Sequence, residues 1–312
     1  MSAAQQHTRR RGPKGLATCL LPRSLARKVN PASSLNLLPT LISGEDTMKW
    51  ALNTYQVGQE WQLDHLIEMC VKTGYPYIEF LQDFQQPHGL EWDTPREKYA
   101  EAKKKLDAAG LKFGSLTSCQ TFHADHANER AESVKRVERV IDMAKEFGCD
   151  HVRVLGDQLP KEESARPAVV KNVAGCIRQL GEYAGAGIKV SMEMHGSFTD
   201  PQYSMEMVKQ ANLPNVGLVF NGIWPVGREW KYTLPAGAKS IKPFYDMIRP
   251  YLTAIHHHSM EQPTELPYWQ EFFGYAKQDG YDGLVCNEAA YTGPDPEKVL
   301  RLYTALFETL IA

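Results

Sequence analysis

The chain has 312 residues, of which 43% are hydrophobic and 23% are charged, a composition typical of a globular enzyme. It contains no apolar run of about 18 residues, so we expect no membrane span. Its six cysteines are scattered and form no CxxC pair, which argues against a thiolate zinc site and a disulfide framework and favours a cytoplasmic protein.

The first 47 residues differ from the rest of the chain in charge and in pattern. They hold seven basic side chains against two acidic ones, which leaves 28 basic and 35 acidic side chains in residues 48–312, a net charge of −7. We interpret residues 1–47 as an N-terminal extension without a stable fold, either a presequence or a stretch upstream of a functional start near Met48. The acidic body makes nucleic acid a poor partner, because nucleic acid selects a basic face.

From Trp50 onward, short apolar runs alternate with longer amphipathic segments. The segments repeat apolar residues at spacings of three and four, as at Val134, Val137, Val140 and Ile141, which is typical of one buried helix face. Several segments end in a glycine that supplies a left-handed C-cap before the next run. The predicted strands are Trp50–Tyr55, Tyr77–Phe80, Lys112–Thr117, His151–Leu155, Ile188–Met194, Val216–Phe220, Leu252–His257 and Gly283–Cys286.

Eight strand-plus-helix units in about 260 residues match the count and size of a (β/α)8 TIM barrel, an α/β fold. A doubly wound open sheet uses the same alternation, but the chain has neither GxGxxG after the first strand nor GxxxxGK[ST]. No linker or change of composition divides residues 48–312. We therefore predict one TIM barrel domain over residues 48–312.

Two of the predicted strands have a glutamate at or just beyond their carboxyl end. Strand five ends with Glu193 and His195, which are two residues apart and so point to the same face. A buried carboxylate is costly unless it is paired or binds a metal, and active sites of such barrels form at the carboxyl ends of the strands. Glu288 follows strand eight at a comparable position. The competing interpretation is that both glutamates are solvated just beyond their strands.

Strand seven holds three consecutive histidines. His256 and His258 share one face, and His257 takes the other, where we expect it to face the surrounding helices as a structural residue. Strand six ends at Asn221, a neutral oxygen donor, and Trp224 follows as a candidate wall of a sugar pocket. Carboxylate, amide, imidazole and carboxylate form an oxygen-rich set, for which we expect Mn²⁺, with Mg²⁺, Co²⁺, Fe²⁺ or Zn²⁺ as alternatives.

Such a site predicts proton-transfer chemistry. A divalent ion polarises a carbonyl together with a neighbouring hydroxyl and stabilises an enediolate. Two carboxylates on either side of a carbon can then remove and return its proton. Both inversion of a hydroxyl-bearing carbon and migration of the carbonyl follow from this step.

The strand ends resemble those of the sugar phosphate isomerase/epimerase family, the xylose isomerase-like TIM barrels. The resemblance implies metal ligands at Glu193, Asn221, His258 and Glu288, with the two glutamates also acting as the proton-transfer pair. Asn221 departs from the family pattern by replacing an aspartate, which removes one negative charge, and Glu261 also stands where the family usually has aspartate. The matching segments are Met192-Glu-Met-His-Gly, Phe220-Asn-Gly, Ile255-His-His-His-Ser-Met-Glu and Gly280-Tyr-Asp-Gly-Leu-Val-Cys-Asn-Glu.

Other polar or aromatic residues near strand ends are candidates for substrate binding. Each of the three in the first half of the barrel has a structural alternative, and for Arg153 it is neutralisation of a carboxylate such as Glu193. The candidates are His195, His256, Trp224, Glu79, His123 and Arg153.

The predicted function is that of a metal-dependent sugar isomerase or epimerase that acts on a small-molecule sugar, as a monomer or a homo-oligomer. The alternative is a dehydratase or β-eliminating lyase on a keto-sugar or inosose, because elimination starts from the same enolate. A remoter alternative is a non-catalytic sugar-binding barrel, which Asn221 permits. Abasic-site DNA nucleases share this barrel, but they use three metals with many more histidines and carboxylates and need a basic groove. The net charge of −7 and the four ligands of this chain disfavour that function.

Overall fold

The structure is a computed structural model that describes residues 48–224, 232–258, 260–289 and 293–312, with the side chains of residues 223 and 224 excepted. The predicted N-terminal extension, residues 1–47, lies outside the described residues. None of the helices in the described ranges has both the length and the apolar character needed to cross a membrane.

Eight parallel strands close into a barrel. Each strand pairs with its neighbours along the chain, and the first strand pairs with the last, which closes the sheet. The strands are β1 Lys49–Asn53, β2 Tyr77–Leu81, β3 Lys112–Thr117, β4 His151–Leu155, β5 Lys189–Glu193, β6 Val216–Phe220, β7 Leu252–His257 and β8 Leu284–Asn287. The predicted eight-stranded barrel is confirmed. A separate short parallel pair, Ile223–Trp224 with Tyr232–Thr233, follows β6.

One α-helix follows each barrel strand. The helices are α1 Leu63–Thr73, α2 Arg96–Ala108, α3 Ala127–Phe147, α4 Arg166–Ala184, α5 Pro201–Ala211, α6 Lys242–Ile248, α7 Leu266–Gln278 and α8 Pro296–Ile311. In α3, the apolar positions predicted from the spacing are buried. The helix ends at Gly148, whose φ of 75° is the left-handed conformation expected of a glycine C-cap.

The side chains inside the barrel form an apolar layer with polar groups on either side of it. The apolar layer consists of Ala51, Val219, Ala254, Leu284 and Cys286. Nearer the amino ends of the strands, the His151 ring hydrogen bonds with Ser115 Oγ at 2.9 Å, and Thr253 Oγ1 donates to Ser191 Oγ at 2.7 Å. Nearer the carboxyl ends lie the acidic and histidine side chains of the candidate site.

The outer face of the barrel packs against the helices through aromatic rings. Trp50 stacks on Phe307 of α8 with 4.2 Å between ring centroids, and its indole Nε1 donates to Thr304 Oγ1 at 3.0 Å. His257 is fully buried and stacks on the same Trp50, with an edge contact to Trp269 of α7. The expectation that His257 faces the helices is confirmed.

Candidate active site

The carboxyl ends of β5 to β8 bring the predicted ligands to one end of the barrel. Glu193 is the last residue of β5, Asn221 follows β6, and Glu288 follows β8. All three are at most 5% exposed. His256 lies in β7 and is fully buried, while the side chain of His258, one residue beyond β7, is 21% exposed.

Direct contacts link these side chains. His256 Nδ1 lies 3.0 Å from Glu288 Oε2 and 3.3 Å from Glu193 Oε2. His258 Nε2 lies 3.4 Å from the same Glu288 oxygen and 2.5 Å from Asn221 Oδ1. The two glutamates therefore converge on the same nitrogen of His256, and Glu288 also contacts His258, which in turn contacts Asn221.

Three of these atoms lack hydrogen bonds of acceptable geometry within the described part of the chain. They are Glu193 Oε2, Glu288 Oε2 and His256 Nδ1, and all are buried. Their remaining contacts are close ion pairs with one another, with Arg153 and with His258, and buried ionised groups need such pairing or a metal. The three residues also offer ligand atoms that lie within 4.8 Å of one another. Two carboxylates and an imidazole nitrogen at this spacing fit a divalent cation.

A third carboxylate, that of Glu79, contacts the other ring nitrogen of His256. Glu79 is fully buried and accepts a hydrogen bond from Asn53 Nδ2 at 2.5 Å, while its other contacts are His256 Nε2 at 3.0 Å and Cys286 Sγ at 3.6 Å. Burial raises the pKa of Glu79, but the positive charges of His256 and Arg153 outweigh it and lower the pKa to about 2. Glu79, a candidate for substrate binding from its position in the sequence, contacts His256 in the structure.

The buried guanidinium of Arg153 neutralises the carboxylate of Glu193. Arg153 Nε lies 2.9 Å from Glu193 Oε2, and Arg153 Nη1 donates to Ser118 O at 3.1 Å. Burial of Glu193 acts to raise its pKa, but Arg153 and His256 more than offset this and hold the pKa well below its ordinary value. Neutralisation of Glu193 is the expected alternative to substrate binding for Arg153, and this is the contact that Arg153 makes.

The remaining candidates lie on loops around the same end of the barrel. His195 Nδ1 lies 3.1 Å from Asp157 Oδ1, in the loop after β4. His123, in the loop after β3, has a buried Nδ1 without a hydrogen-bond partner among the described residues. The backbone of Trp224 belongs to the short strand after β6, and its side chain lies outside the described part of the chain.

The comparison with known proteins decides the family. A family model described as the xylose isomerase-like TIM barrel matches residues 67–305. The chain belongs to this family. A 2-oxo-tetronate isomerase from Haemophilus influenzae is 23% identical over 185 residues, which span 54% of this chain and 66% of that relative's own length.

Two solved structures extend this likeness in fold. A D-psicose 3-epimerase from Clostridium cellulolyticum H10 matches with a TM-score of 0.67 and 15% identity, over 84% of this chain and 98% of the other. A xylose isomerase-like TIM barrel protein from Mycobacterium smegmatis, solved in complex with magnesium, matches with a TM-score of 0.63 and 18% identity, over 85% and 97% of the two chains.

In this xylose isomerase-like barrel, Glu261 contacts a helix. Tyr303 of α8 donates to its Oε2 at 2.8 Å, and Gln262 donates to its other oxygen. The longer side chain that replaces the family's usual aspartate is therefore held at α8.

Sequence reasoning missed two polar residues of the site, Asn53 and Asp157. Asn53 is the last residue of β1 and Asp157 lies two residues after β4, so both stand at strand ends as the recognised candidates do. Their position was a usable signal. Their pairing with Glu79 and His195 joins different strand ends and was not readable from local sequence.

Proposed function

We propose that this chain is a metal-dependent sugar isomerase or epimerase, with Glu193 and Glu288 as the pair that removes and returns a proton. The observation that carries the proposal is the convergence of Glu193 Oε2, Glu288 Oε2 and His256 Nδ1, which are buried without hydrogen bonds of acceptable geometry in the described part of the chain. The isomerase and epimerase among the relatives support the same class of reaction.

The proposed ligands of the cation are Glu193, Asn221, His258 and Glu288, with His256 as a further candidate because its Nδ1 contacts both glutamates. We expect Mn²⁺ first, and the magnesium in one related structure supports a divalent ion of this kind. A bound divalent ion would supply Lewis acidity that polarises the substrate carbonyl and its neighbouring hydroxyl.

Charge also supports a cation here. Three buried carboxylates, those of Glu79, Glu193 and Glu288, meet one guanidinium, that of Arg153, and the His256 imidazole. With the three carboxylates ionised, His256 protonated and His258 neutral, the carboxylates exceed these cations by one charge. A buried ionised carboxylate is stable only when it is paired or bound to a metal.

The chain's own residues divide the proton transfer between them. Arg153 keeps Glu193 ionised at neutral pH, so Glu193 enters the reaction as the base that takes the proton next to the carbonyl. Glu288, which contacts the same His256 nitrogen, returns to the resulting enediolate a proton that it has taken up from solvent. Return to the opposite face of the same carbon gives an epimer, and return to the neighbouring carbon gives an isomer.

The test is proton exchange with solvent. Purified protein loaded with Mn²⁺ is incubated in D₂O with a panel of ketoses and keto-acid sugars, and deuterium at the carbon next to the carbonyl is measured by NMR and mass spectrometry. We expect exchange in the wild type and its loss in both Glu193→Gln and Glu288→Gln. Glu261→Gln is the matched control and should keep exchange, because that carboxylate binds Tyr303 of α8.

The mass of the product separates the related chemistries. Conserved mass supports isomerisation or epimerisation, and loss of water or of an aglycone indicates a lyase. Full exchange in both Glu193→Gln and Glu288→Gln would remove these two residues from the mechanism.

A further inference from the structure

Asp157 has an unusual backbone conformation close to the candidate site. Its φ is 64°, and among the described residues the other non-glycine residue with a positive φ is Asn212 at 48°. Asn212 is the left-handed C-cap of α5, which accounts for its conformation. Asp157 caps no helix. Non-glycine residues at positive φ carry strain, although aspartate and asparagine carry less than other residues, and such strain persists where the surrounding structure enforces it.

Two loops enforce the conformation of Asp157. Ser197 N donates to Asp157 O at 2.8 Å, and Leu159 N donates to Ser197 Oγ at 3.0 Å, so the loops after β4 and β5 are joined. Gly196 lies directly against this bend, because a Cβ at that position would come within 2.5 Å of Asp157 O. The first of these bonds uses the backbone oxygen of Asp157, and neither requires a side chain at that position.

The side chain of Asp157 makes a separate contact with the site. Its Oδ1 lies 3.1 Å from Nδ1 of His195, which stands two residues beyond Glu193 on the same strand end. An ionised carboxylate only accepts hydrogen bonds, so the imidazole donates through Nδ1. A carboxylate on one ring nitrogen fixes both the tautomer and the orientation of a histidine.

We propose that Asp157 is a positioning residue: its strained backbone delivers a carboxylate that holds His195 in the orientation in which it contacts the hydroxyl groups of a sugar substrate. This inference rests on the proposed function, because it gives His195 a substrate to bind. The strain serves the side chain, since glycine at this position would keep the backbone bonds between the two loops.

The test compares three substitutions at Asp157 that separate the backbone strain from the side-chain contact with His195. Asp157→Gly removes both strain and carboxylate, so kcat/KM should fall by about 10- to 100-fold while the thermal midpoint stays within about 2 °C of the wild type. Asp157→Ala removes the carboxylate but keeps a Cβ at positive φ, so the same loss of activity should come with a midpoint about 2–4 °C below that of Asp157→Gly. Asp157→Asn, which tolerates this φ and keeps an acceptor oxygen, should recover part of the activity.

A double-mutant cycle with His195→Gln assigns the effect to the histidine. In the His195→Gln background, Asp157→Gly should cause no further loss of activity. Asn212→Gly is the matched control for the backbone change, since it replaces the other left-handed residue at the end of α5, and it should leave kcat/KM unchanged.

Full activity in Asp157→Gly, or losses that add independently in the double mutant, would overturn the proposal. A ¹⁵N NMR measurement of the His195 ring decides the same point without turnover: the Nδ1-protonated tautomer should dominate in the wild type and be lost in Asp157→Gly. If the wild type exchanges no proton with any sugar, the proposed function fails. The NMR result then still supports the pairing if the tautomer changes and overturns it if the tautomer is retained.

Discussion

Replacing Arg153 with methionine tests the electrostatics of the candidate site. Arg153 Nε lies 2.9 Å from Glu193 Oε2, and both side chains are 4% exposed. At an effective dielectric constant of about 20, two unit charges at this distance attract by about 6 kcal/mol. Methionine fills a similar length but leaves the Glu193 carboxylate without its guanidinium, a change that typically costs about 3–5 kcal/mol in buried pairs. We expect a loss of this size in the metal-free protein.

The loss should depend on pH and on metal. Because the pKa of Glu193 is lower in the folded protein than its unfolded value of 4.5, ionised Glu193 stabilises the fold above pH 4.5. This stabilisation is lost as the pH falls through the folded pKa, so the difference in unfolding free energy between wild type and Arg153→Met should shrink in acid. Added Mn²⁺ should stabilise Arg153→Met more than the wild type, because removal of a nearby positive charge strengthens cation binding.

Urea unfolding at pH 7, first with a chelator and then with Mn²⁺, measures both effects. Arg153→Lys is the matched variant, since it keeps a cation near Glu193 and should lose less stability. A loss below about 1 kcal/mol for Arg153→Met would refute the reasoning that this pair is tightly coupled and desolvated.

Two further predictions concern the metal and the buried His151 near the amino ends of the strands. Asn221→Asp adds a negative charge to the site, so we expect this variant to bind Mn²⁺ at least about 10-fold more tightly and to be less stable without metal. Calorimetric titration measures the affinity, and urea unfolding measures the stability. An unchanged affinity would contradict the assignment of Asn221 as a ligand. Burial lowers the pKa of His151 from 6.5 to about 4, so the folded protein resists a proton that the unfolded chain accepts, and stability should fall by up to about 3 kcal/mol as pH decreases from 6.5 to 4. His151→Asn should remove that part of the slope in unfolding measurements at pH 7, 6 and 5, and an equal slope in both proteins would argue against it.

The barrel was predictable because its strands are short apolar runs that are buried on both faces and separated by amphipathic helices. The predicted strand ends lie within two residues of those in the structure. The largest difference, at the end of β1, has a local cause. Asn53 Oδ1 accepts a hydrogen bond from Tyr55 N at 2.6 Å, so the chain turns two residues before the predicted end.

Strand periodicity also predicted which histidine faces the helices, because neighbouring residues of a strand point to opposite faces. It did not predict that His256 rests on Glu79. These two residues are 177 positions apart, and their contact depends on how strands β2 and β7 are staggered around the barrel. Register shifts at Ile78/Glu79 and at Leu218/Val219 alter that stagger, and no local pattern reports them.

The role of Asp157 was hidden for a different reason. Its partner His195 was recognised from the Glu-x-His end of β5, but the pairing needs a positive φ at Asp157 and the absence of a Cβ at Gly196. Both are properties of two loops packed together. A single strand-end aspartate gives no sign of them.

The most direct test of the account is the position of a bound cation. A crystal of the Mn²⁺-loaded protein, measured with anomalous scattering at the manganese edge, should show one strong peak within about 2.5 Å of oxygen atoms from both Glu193 and Glu288 and of a histidine nitrogen from β7 or the residue after it. A protein that binds no divalent ion, or a peak that lies away from these two glutamates, would contradict the proposed metal-assisted proton transfer.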